Sequence, residues 1–265
     1  MAEGATDNIR KHLKTLKLRR MDQELDQTLG LAARKNLAPA AVLERLLEIE
    51  AVALIERRIE RRIRDSKLPE RKLLADFDFK FQTGIDKGQI MELATLGFVD
   101  RKQWLILAGS SGAGKSHLAK ALLLLACQRL YRCRYVTASC MLRDLLSGLA
   151  DDSLDDKLKA YLRPDILLID EIGFDRLEQE SSRNASLFFK VIEGRYCKST
   201  TILTTNIDFK MLGQYLDDPV VTAAMVDRMV HHAVIINIDG PSWRMHESKQ
   251  LNRASRNQNP AKKTK

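Results

Sequence analysis

The 265-residue chain has few cysteines, few aromatic residues and no long apolar run. Its four cysteines, Cys127, Cys133, Cys140 and Cys197, form no Cys-x-x-Cys pair. The spacing of a zinc site is therefore missing, and we expect buried free thiols in a reducing compartment. The longest apolar run, at 121–127, is too short to cross a membrane, and the first residues lack the apolar core of a signal peptide. The sequence thus predicts a cytoplasmic protein with no membrane partner.

Acidic residues are outnumbered at the two ends of the chain. The net charge is +9, and residues 1–75 carry 17 Lys and Arg against 12 Asp and Glu. Residues 241–265 carry 7 against 1, whereas the middle, 76–240, carries 20 against 22. Basic ends around a nearly neutral centre indicate a polyanionic partner, and nucleic acid is the first candidate.

The N-terminal quarter has almost no glycine or proline. One Gly and one Pro occur between residues 5 and 68, while Ala, Glu, Leu and Arg dominate, which favours helices. We predict a small helical domain over 1–75, with 69–85 as the join to the next domain. Within it, residues 41–64 place apolar side chains on one side of a helix. These side chains are Leu43, Leu47, Leu54, Ile55, Ile59 and Ile63.

Two basic clusters lie in this helical domain. Either one alone is equally well explained as a solvated helix face, but two clusters in so small a domain favour contact with phosphate groups. Residues 1–75 contain no Phe, Tyr or Trp, which argues against stacking on the bases of a single strand. Whether the domain binds DNA or a protein stays open. The candidate DNA-contacting residues are Arg10, Lys11, Lys14, Lys17, Arg57, Arg58 and Arg61.

From about residue 100 the pattern changes to short apolar strands that alternate with helical stretches. The strands are predicted in QWLILAG, CRYVTAS, DILLIDEI, TTILTTN and AVIINI. Runs rich in leucine and β-branched residues indicate strands buried on both faces. We therefore predict a mostly parallel five-stranded sheet flanked by helices over 76–245. The last 25 residues are expected to begin as a helix in SWRMHESKQLNRAS and to end in NQNPAKKTK, and a basic, disordered tail is placed over 246–265.

A glycine-rich loop joins the first of these strands to the following helix. GSSGAGKS at 109–116 matches G-x-x-x-x-G-K-[ST], whose backbone N–H groups surround phosphate oxygens at the positive end of a helix. Lys115 is expected to neutralise the β- and γ-phosphates, and the Ser116 hydroxyl to ligate Mg²⁺. The predicted ATP ligands are Gly109, Ser110, Ser111, Gly112, Ala113, Gly114, Lys115, Ser116 and His117.

Two acidic residues follow the apolar residues of DILLIDE. Asp170 is predicted to hold Mg²⁺ and Glu171 to polarise an attacking water, since four apolar residues and an upstream P-loop argue against simple solvent-facing acids. A general base indicates hydrolysis, which argues against a nucleotide-gated scaffold without catalysis. Asn206, at the end of TTILTTN, is a candidate for positioning the water, and a strand cap is the alternative.

In this order, the P-loop, the acidic strand and the Asn-tipped strand resemble the AAA+ ATPases of the initiator and helicase-loader clade. The chain is also similar to the IstB family, the ATPases encoded beside a transposase in insertion sequences. The motifs GKSHLAKAL, YLRPDILLIDEIG, SLFFKVIEGRY, DPVVTAAMVDRMVHHA and INIDGPSWRMHE carry this resemblance. It implies an ATP-hydrolysing transposition helper that self-assembles on double-stranded DNA, marks target DNA and stimulates its transposase.

The resemblance also implies roles for two arginines. Arg228 matches an arginine finger that reaches the γ-phosphate bound by a neighbouring subunit, which implies an ATP-dependent homo-oligomer. From the sequence alone, Arg228 could equally pair with Asp227. Arg244 matches a second sensor in cis, and adenine contacts are expected around 80–90. A replicative helicase loader of the DnaC type, which shares this core, is the alternative function.

Overall fold

The computed structural model describes residues 2–173, 183–208, 211, 212, 216 and 218–257. The chain divides into two compact units, Met1–Arg61 and Arg62–Lys265. The division falls inside a long helix and upstream of the boundary predicted at residue 75, because helix-favouring residues continue without a break to Asp65.

The first unit consists of helices. They are α1 (Ala2–Thr15), α2 (Arg19–Lys35) and α3 (Pro39–Asp65), the last of which continues into the second unit. Leu13, Met21, Leu25 and Leu46 form a small core. Few apolar side chains contribute to it, so polar contacts carry more of the stability of this unit than in a larger domain.

Glu50 makes one such polar contact between α3 and α2. Its buried carboxylate accepts hydrogen bonds from the backbone N–H groups of Arg20 (2.7 Å) and Met21 (3.1 Å) and from the guanidinium of Arg57 (2.7 Å). These amides belong to the first turn of α2, where the backbone N–H groups have no acceptor within their own helix. Burial acts to raise the pKa of Glu50, but the hydrogen bonds outweigh it, and the pKa lies below its ordinary value.

The predicted apolar side of α3 is buried only toward its C-terminal end, where Ile63 is buried and Ile59 is half-buried. Leu43 and Leu47 are 58% and 56% exposed, and Leu54 is also exposed, whereas Leu46 and Ala53 are buried. Helix α3 carries apolar residues on more than one side, so their spacing predicts a helix correctly but does not determine which side packs.

The second unit is an α/β domain. Its elements are α4 (Lys87–Ala94), α5 (Gly97–Asp100), β1 (Trp104–Gly109), α6 (Lys115–Gln128), β2 (Cys133–Thr137), α7 (Ala138–Ala150), α8 (Leu154–Leu162), β3 (Ile166–Ile172), α9 (Arg183–Arg195), β4 (Thr200–Thr205), α10 (Pro219–His231), β5 (Ala233–Ile238) and α11 (Trp243–Asn257). The strands pair in the order β2-β3-β4-β1-β5, and every pair is parallel. The predicted five-stranded sheet is confirmed.

Helices cover both faces of this sheet. On one face, α7, α9 and α10 contribute Leu145, Phe188 and Met225 to a core that includes Ile106 and Leu167 of the strands. Helix α6 contacts β1 to β4 with a nearly continuous apolar surface. Because both faces are buried, the carboxyl edge of the sheet is where polar side chains can gather.

Three further sequence expectations can be compared with the described residues. Helix α11 spans Trp243–Asn257, where a helical start of the C-terminal segment is expected, so it overlaps the tail placed from 246, and 258–265 lie outside the described residues. Cys127 and Cys133 are buried free thiols as expected, but Cys140 and Cys197 are exposed. No described helix is both long and apolar enough to span a membrane.

Candidate functional site

The glycine-rich loop turns sharply between the end of β1 and the start of α6. Gly109 and Gly114 have φ angles of 140° and 97°, which side chains with a Cβ rarely adopt. At Gly114 the space is also closed, since an added Cβ would lie 2.6 Å from Cε2 of Phe77. Helix α6 begins at Lys115, so the unpaired N–H groups of its first turn point toward the loop. This geometry suits a phosphate group.

A cavity of about 560 Å³ lies over the loop, within the usual range for a small-molecule site. Seven of the nine predicted loop ligands, residues 111–117, line it. The other two, Gly109 and Ser110, are not among the residues that line the cavity. Gly109 packs against the carbonyl of Ile238 in β5, and the Ser110 hydroxyl donates to the carbonyl of Gly240 (3.3 Å).

Lys115 is held beneath the loop. Its Nζ donates to the carbonyl oxygens of Gly109 (2.8 Å) and Ser110 (2.7 Å). Burial lowers the pKa of Lys115, the negative charge of Asp170 acts in the opposite direction, and the positive charge of Arg244 adds to the lowering. An ammonium group this poorly hydrated interacts strongly with an anion that enters the cavity.

Asp170 is fully buried at the end of β3 and receives several polar contacts. Its Oδ1 accepts from Ser116 Oγ (2.7 Å) and Thr204 Oγ1 (2.5 Å), and its Oδ2 accepts from the Tyr135 hydroxyl (3.2 Å). The ammonium of Lys120 lies 3.8 Å from the same Oδ2. A hydroxyl and a carboxylate in direct contact are hard oxygen ligands of the kind Mg²⁺ prefers, so the predicted metal ligands Ser116 and Asp170 fit that ion.

Glu171 lies next to Asp170 but faces the opposite way. Its side chain is exposed and lines the cavity, and its backbone φ is 63°. Asn206, directly after β4, is also exposed and lines the same cavity. The structure therefore brings Lys115, Ser116, Glu171 and Asn206 together around one cavity.

Another wall of the cavity comes from residues 70–82, which precede α4 in the second unit. Phe77 packs its ring edge-to-face against His117, with centroids 5.5 Å apart, and the Nε2 of His117 lies 2.9 Å from the carbonyl oxygen of Leu73. Phe81 and Trp243 also line the cavity, and their rings meet edge-to-face at 5.0 Å. Adenine contacts were expected around 80–90, and the lining residues from the join begin earlier in the chain.

Gln82 ties this wall to the loop. The side-chain Nε2 of Gln82 donates hydrogen bonds to two carbonyl oxygens. One belongs to Ala113 in the glycine-rich loop (2.9 Å), and the other belongs to Pro241, shortly before α11 (3.0 Å). The backbone N–H of Trp243 adds a bond to the carbonyl of Gly112 (3.0 Å). The P-loop is therefore fixed from two sides by segments far from it in the sequence.

The two arginines implied by the family resemblance lie in different places. Arg244 is exposed and lines the cavity, as a sensor in cis requires. Arg228 in α10 is not among the lining residues. It forms an ion pair with Glu193 of α9, donates to the carbonyl of Ala224 (2.8 Å) and lies over the ring of Phe189. The alternative partner from the sequence, Asp227, is therefore not the one observed.

The candidate DNA-contacting residues differ in their local partners. Arg10 bonds to Asp22 (3.2 Å) and Asp26 (2.5 Å), and Arg57 bonds to Glu50. These carboxylates neutralise part of the positive charge that the sequence assigns to the two clusters. The other candidates, Lys11, Lys14, Lys17, Arg58 and Arg61, have exposed side chains.

Sequence reasoning did not find several residues of the site. Lys120, Tyr135 and Gln82 make the contacts given above, yet each belongs to a different element and none completes a local motif. Lys120 carries the one available signal, since it lies four residues after Ser116 in α6 and therefore on the same side of that helix.

A parallel sheet in the order β2-β3-β4-β1-β5, a P-loop after β1 and an acidic pair at the end of β3 define the P-loop AAA+ class of nucleotide-binding folds. Solved structures agree. DnaI aligns with a TM-score of 0.53 at 24% identity, over 63% of this chain and 91% of that chain. AMPPCP-bound DnaA from Aquifex aeolicus aligns at 0.52 and 19% identity, over 71% and 56%. At these identities the likeness shows the fold alone.

Comparison with related sequences identifies the family within the AAA+ class to which the chain belongs. The profile of the family described as IstB-like ATP binding protein matches residues 11–251. A protein of Geobacillus stearothermophilus, named as the ATP-binding protein of insertion sequence IS5376, is 35% identical over 92% of this chain and 96% of its own length. Its counterpart for IS21 from Pseudomonas aeruginosa is 34% identical over 94% and 92%. The chain belongs to the IstB-like family, which confirms the resemblance predicted from its motifs.

Proposed function

We propose that this protein is an ATP-hydrolysing transposition helper. In the ATP-bound form it assembles on double-stranded DNA, marks that DNA as a target and stimulates its transposase. The observation that carries the ATPase assignment is the arrangement of Lys115 and Glu171 around one cavity, with Ser116 bonded to Asp170 beside them. Phosphate-binding and water-activating groups are thus placed within reach of a single substrate.

Each step of ATP hydrolysis is assigned to particular residues of the site. The loop N–H groups and Lys115 hold the phosphates of ATP, and Ser116 and Asp170 would hold Mg²⁺, which supplies charge neutralisation at those phosphates when bound. Glu171 accepts a proton from water as its oxygen attacks the γ-phosphorus. The bond to the bridging oxygen breaks, which gives ADP and phosphate, and Asn206 orients the water.

Assembly supplies the last catalytic group. Arg228 lies outside the cavity of its own chain, so it serves as a finger only if it contacts ATP in a neighbouring subunit. A guanidinium in that position stabilises charge on the transferring phosphoryl group. Hydrolysis would then depend on the homo-oligomer, and release from DNA would follow hydrolysis.

Contact with DNA is assigned to the basic side chains of α1 and α3. Phosphate contacts of this type are independent of base sequence and weaken as salt increases. The lack of aromatic residues in the first unit favours duplex DNA over a single strand, whose bases usually stack on aromatic rings. Action on DNA implies a cytoplasmic location and an ATPase that DNA stimulates.

Family membership supports transposition over helicase loading. The relatives aligned along nearly the whole chain are named for insertion sequences, whereas DnaI shares only the fold. The transposase is therefore the proposed protein partner, and a replicative helicase is the partner that the alternative requires.

Sedimentation of Glu171→Gln with duplex or single-stranded DNA, in ATP and in ADP, tests the proposal. We expect a large assembly that requires both ATP and duplex DNA and that recruits the transposase. Wild-type protein in ATP is the control and should disassemble as ATP is consumed. Preference for single strands, or assembly only when a helicase is added, would instead support the loader.

A further inference from the structure

The pairing of β3 with β4 is irregular at the proposed catalytic glutamate. Ile169 is opposite Leu203, and the next pair joins Ile172 to Thr205, so β3 advances by three residues while β4 advances by two. The extra residue in β3 is a β-bulge, which disrupts the strand bonding at Asp170 and Glu171. Bulges commonly redirect a side chain at an active site.

The two acids at the bulge have different environments. Asp170 points into the protein and is fully buried, whereas Glu171 is exposed in the cavity. Glu171 reaches this position with a φ of 63°, in a left-handed region that a residue with a long side chain seldom occupies. Such a conformation persists only where neighbouring contacts hold it.

The hydroxyl of Thr204 provides that contact. Thr204 Oγ1 accepts a hydrogen bond from the backbone N–H of Glu171 (2.9 Å) and donates one to Oδ1 of Asp170 (2.5 Å). The hydroxyl has one hydrogen, which it donates to the carboxylate, and it accepts the amide N–H with an oxygen lone pair. It can therefore form both hydrogen bonds at the same time. Thr204 is 1% exposed although it lines the cavity, so both bonds are largely shielded from bulk water.

We propose that Thr204 is a positioning residue for hydrolysis, and that its side-chain hydroxyl takes the place of the strand hydrogen bond lost at the bulge. It holds the backbone of Glu171 in the left-handed conformation that aims the carboxylate into the cavity. Through the same hydroxyl, the backbone of Glu171 is linked to the Asp170 carboxylate. This inference rests on the proposed role of Glu171 as the base.

The inference predicts a defect in turnover with little effect on substrate binding. Misplacing a catalytic group by about 1 Å lowers the rate by about 100-fold, so we expect kcat to fall about 10- to 100-fold without the hydroxyl. The phosphate-binding loop is untouched, so KM for ATP should stay within about threefold of wild type.

Thr204→Ser and Thr204→Ala form the main comparison, because both lack the methyl group and only serine keeps the hydroxyl. Thr204→Val is an isosteric companion. Thr200→Val is the matched control: it makes the same substitution in the same buried strand, but the Thr200 hydroxyl has no hydrogen-bond partner among the described residues. All four variants are made in the full chain and compared for kcat, KM and hydrogen exchange of the Glu171 amide.

We expect Thr204→Ser and Thr200→Val to keep wild-type turnover and a protected Glu171 amide. Thr204→Ala and Thr204→Val should lose turnover and exchange that amide faster. Normal kcat in Thr204→Ala, or an equal loss in Thr204→Ser, would overturn the inference, as would an unchanged kcat with a raised KM. Glu171→Gln distinguishes failure of the proposed function from failure of the role of Thr204. If Glu171→Gln hydrolyses ATP normally, the proposed function is wrong. If Glu171→Gln is inactive while Thr204→Ala has normal turnover, only the role of Thr204 is wrong.

Discussion

The guanidinium of Arg228 forms an ion pair with Glu193 in the neighbouring helix of the same chain, outside the nucleotide cavity. The pair is partly exposed, so it contributes little stability and can be exchanged for a stronger partner. A triphosphate presented by another subunit would be such a partner. This arrangement makes the role of Arg228 testable by mixing subunits.

Lys115→Ala and Arg228→Ala should each be inactive alone and partly active when mixed. The first keeps the finger but cannot hold ATP, and the second holds ATP but lacks the finger, so mixed assemblies contain complete sites. Turnover across a range of mixing ratios measures this recovery. Glu193→Gln is the control and should keep activity, since it only releases Arg228. Normal turnover by Arg228→Ala that still rises with protein concentration would refute the assignment.

Lys115→Ala should also lose affinity for ATP, because the ammonium is the buried positive charge of the loop. We expect a loss of about 10-fold or more, comparable to a charge-assisted hydrogen bond of about 1.5–3 kcal/mol. Titration with a fluorescent ATP analogue measures it. Lys198→Ala, which removes an exposed lysine elsewhere in the unit, should bind as wild type. Equal affinity in the two variants would exclude Lys115 as a phosphate ligand.

The basic residues of α1 should fall into two groups. Lys11→Gln and Lys14→Gln remove exposed charges, and each should reduce the slope of log affinity against log salt by about 1 if the lysine contacts a DNA phosphate. Arg10→Gln should instead mainly weaken the α1–α2 contact, because Arg10 bonds to Asp22 and Asp26. Filter binding at several salt concentrations, together with thermal unfolding, separates the groups. Unchanged slopes would move DNA contact away from α1.

Glu50 should make the first unit sensitive to acid. Its pKa in the folded protein lies below the ordinary value of 4.5 for a glutamate, because its hydrogen bonds outweigh the effect of burial. Its stabilising effect is therefore complete above about pH 4.5 and is lost as the pH falls through the lower folded pKa. Glu50→Gln should destabilise the unit by about 1–3 kcal/mol at pH 7, and the difference from wild type should shrink in acid.

Two optical signals distinguish this effect from unfolding of the whole chain. Both tryptophans, Trp104 and Trp243, lie in the second unit, so their fluorescence reports that unit, while far-ultraviolet circular dichroism reports all helices. Glu50→Gln should lose helical signal before tryptophan fluorescence changes. Glu48→Gln, an exposed neighbour on α3, should behave as wild type. A difference that grows on acidification would show that Glu50 acts otherwise.

The sheet and the phosphate-binding half of the site could be predicted because their signals are local. Each strand is a continuous apolar run, and the loop, Asp170 and Glu171 are recognised within a few residues of a strand end. Asn206 follows the same rule. The carboxyl ends of parallel strands meet at one edge, so placing these residues in order along the chain was enough to bring them together.

The remaining parts depend on contacts that no short pattern encodes. Gln82 bonds to Ala113 and Pro241, which are distant in sequence on both sides. Residues 70–82 have no helical or strand period to indicate what they cover. In α3, apolar side chains surround much of the helix, and which of them are buried is decided by the packing of α1 and α2. Arg10 is paired with carboxylates of α2, and Arg57 is paired with Glu50 of its own helix, and no short sequence pattern shows either pairing.

Strand β1 lies between β4 and β5 in the sheet, and both of these strands follow it by a long stretch of chain. During synthesis the P-loop therefore leaves the ribosome well before either of its strand neighbours exists. The hydrogen bond from the backbone N–H of Trp243 to the carbonyl of Gly112 can form only later, after β5 and the residues that follow it have been synthesised. A polypeptide that ended before β5 would carry the complete glycine-rich motif on a strand with at least one side unpaired. The motif by itself therefore does not make the site, which is complete only when the last strand and the segment after it have been synthesised.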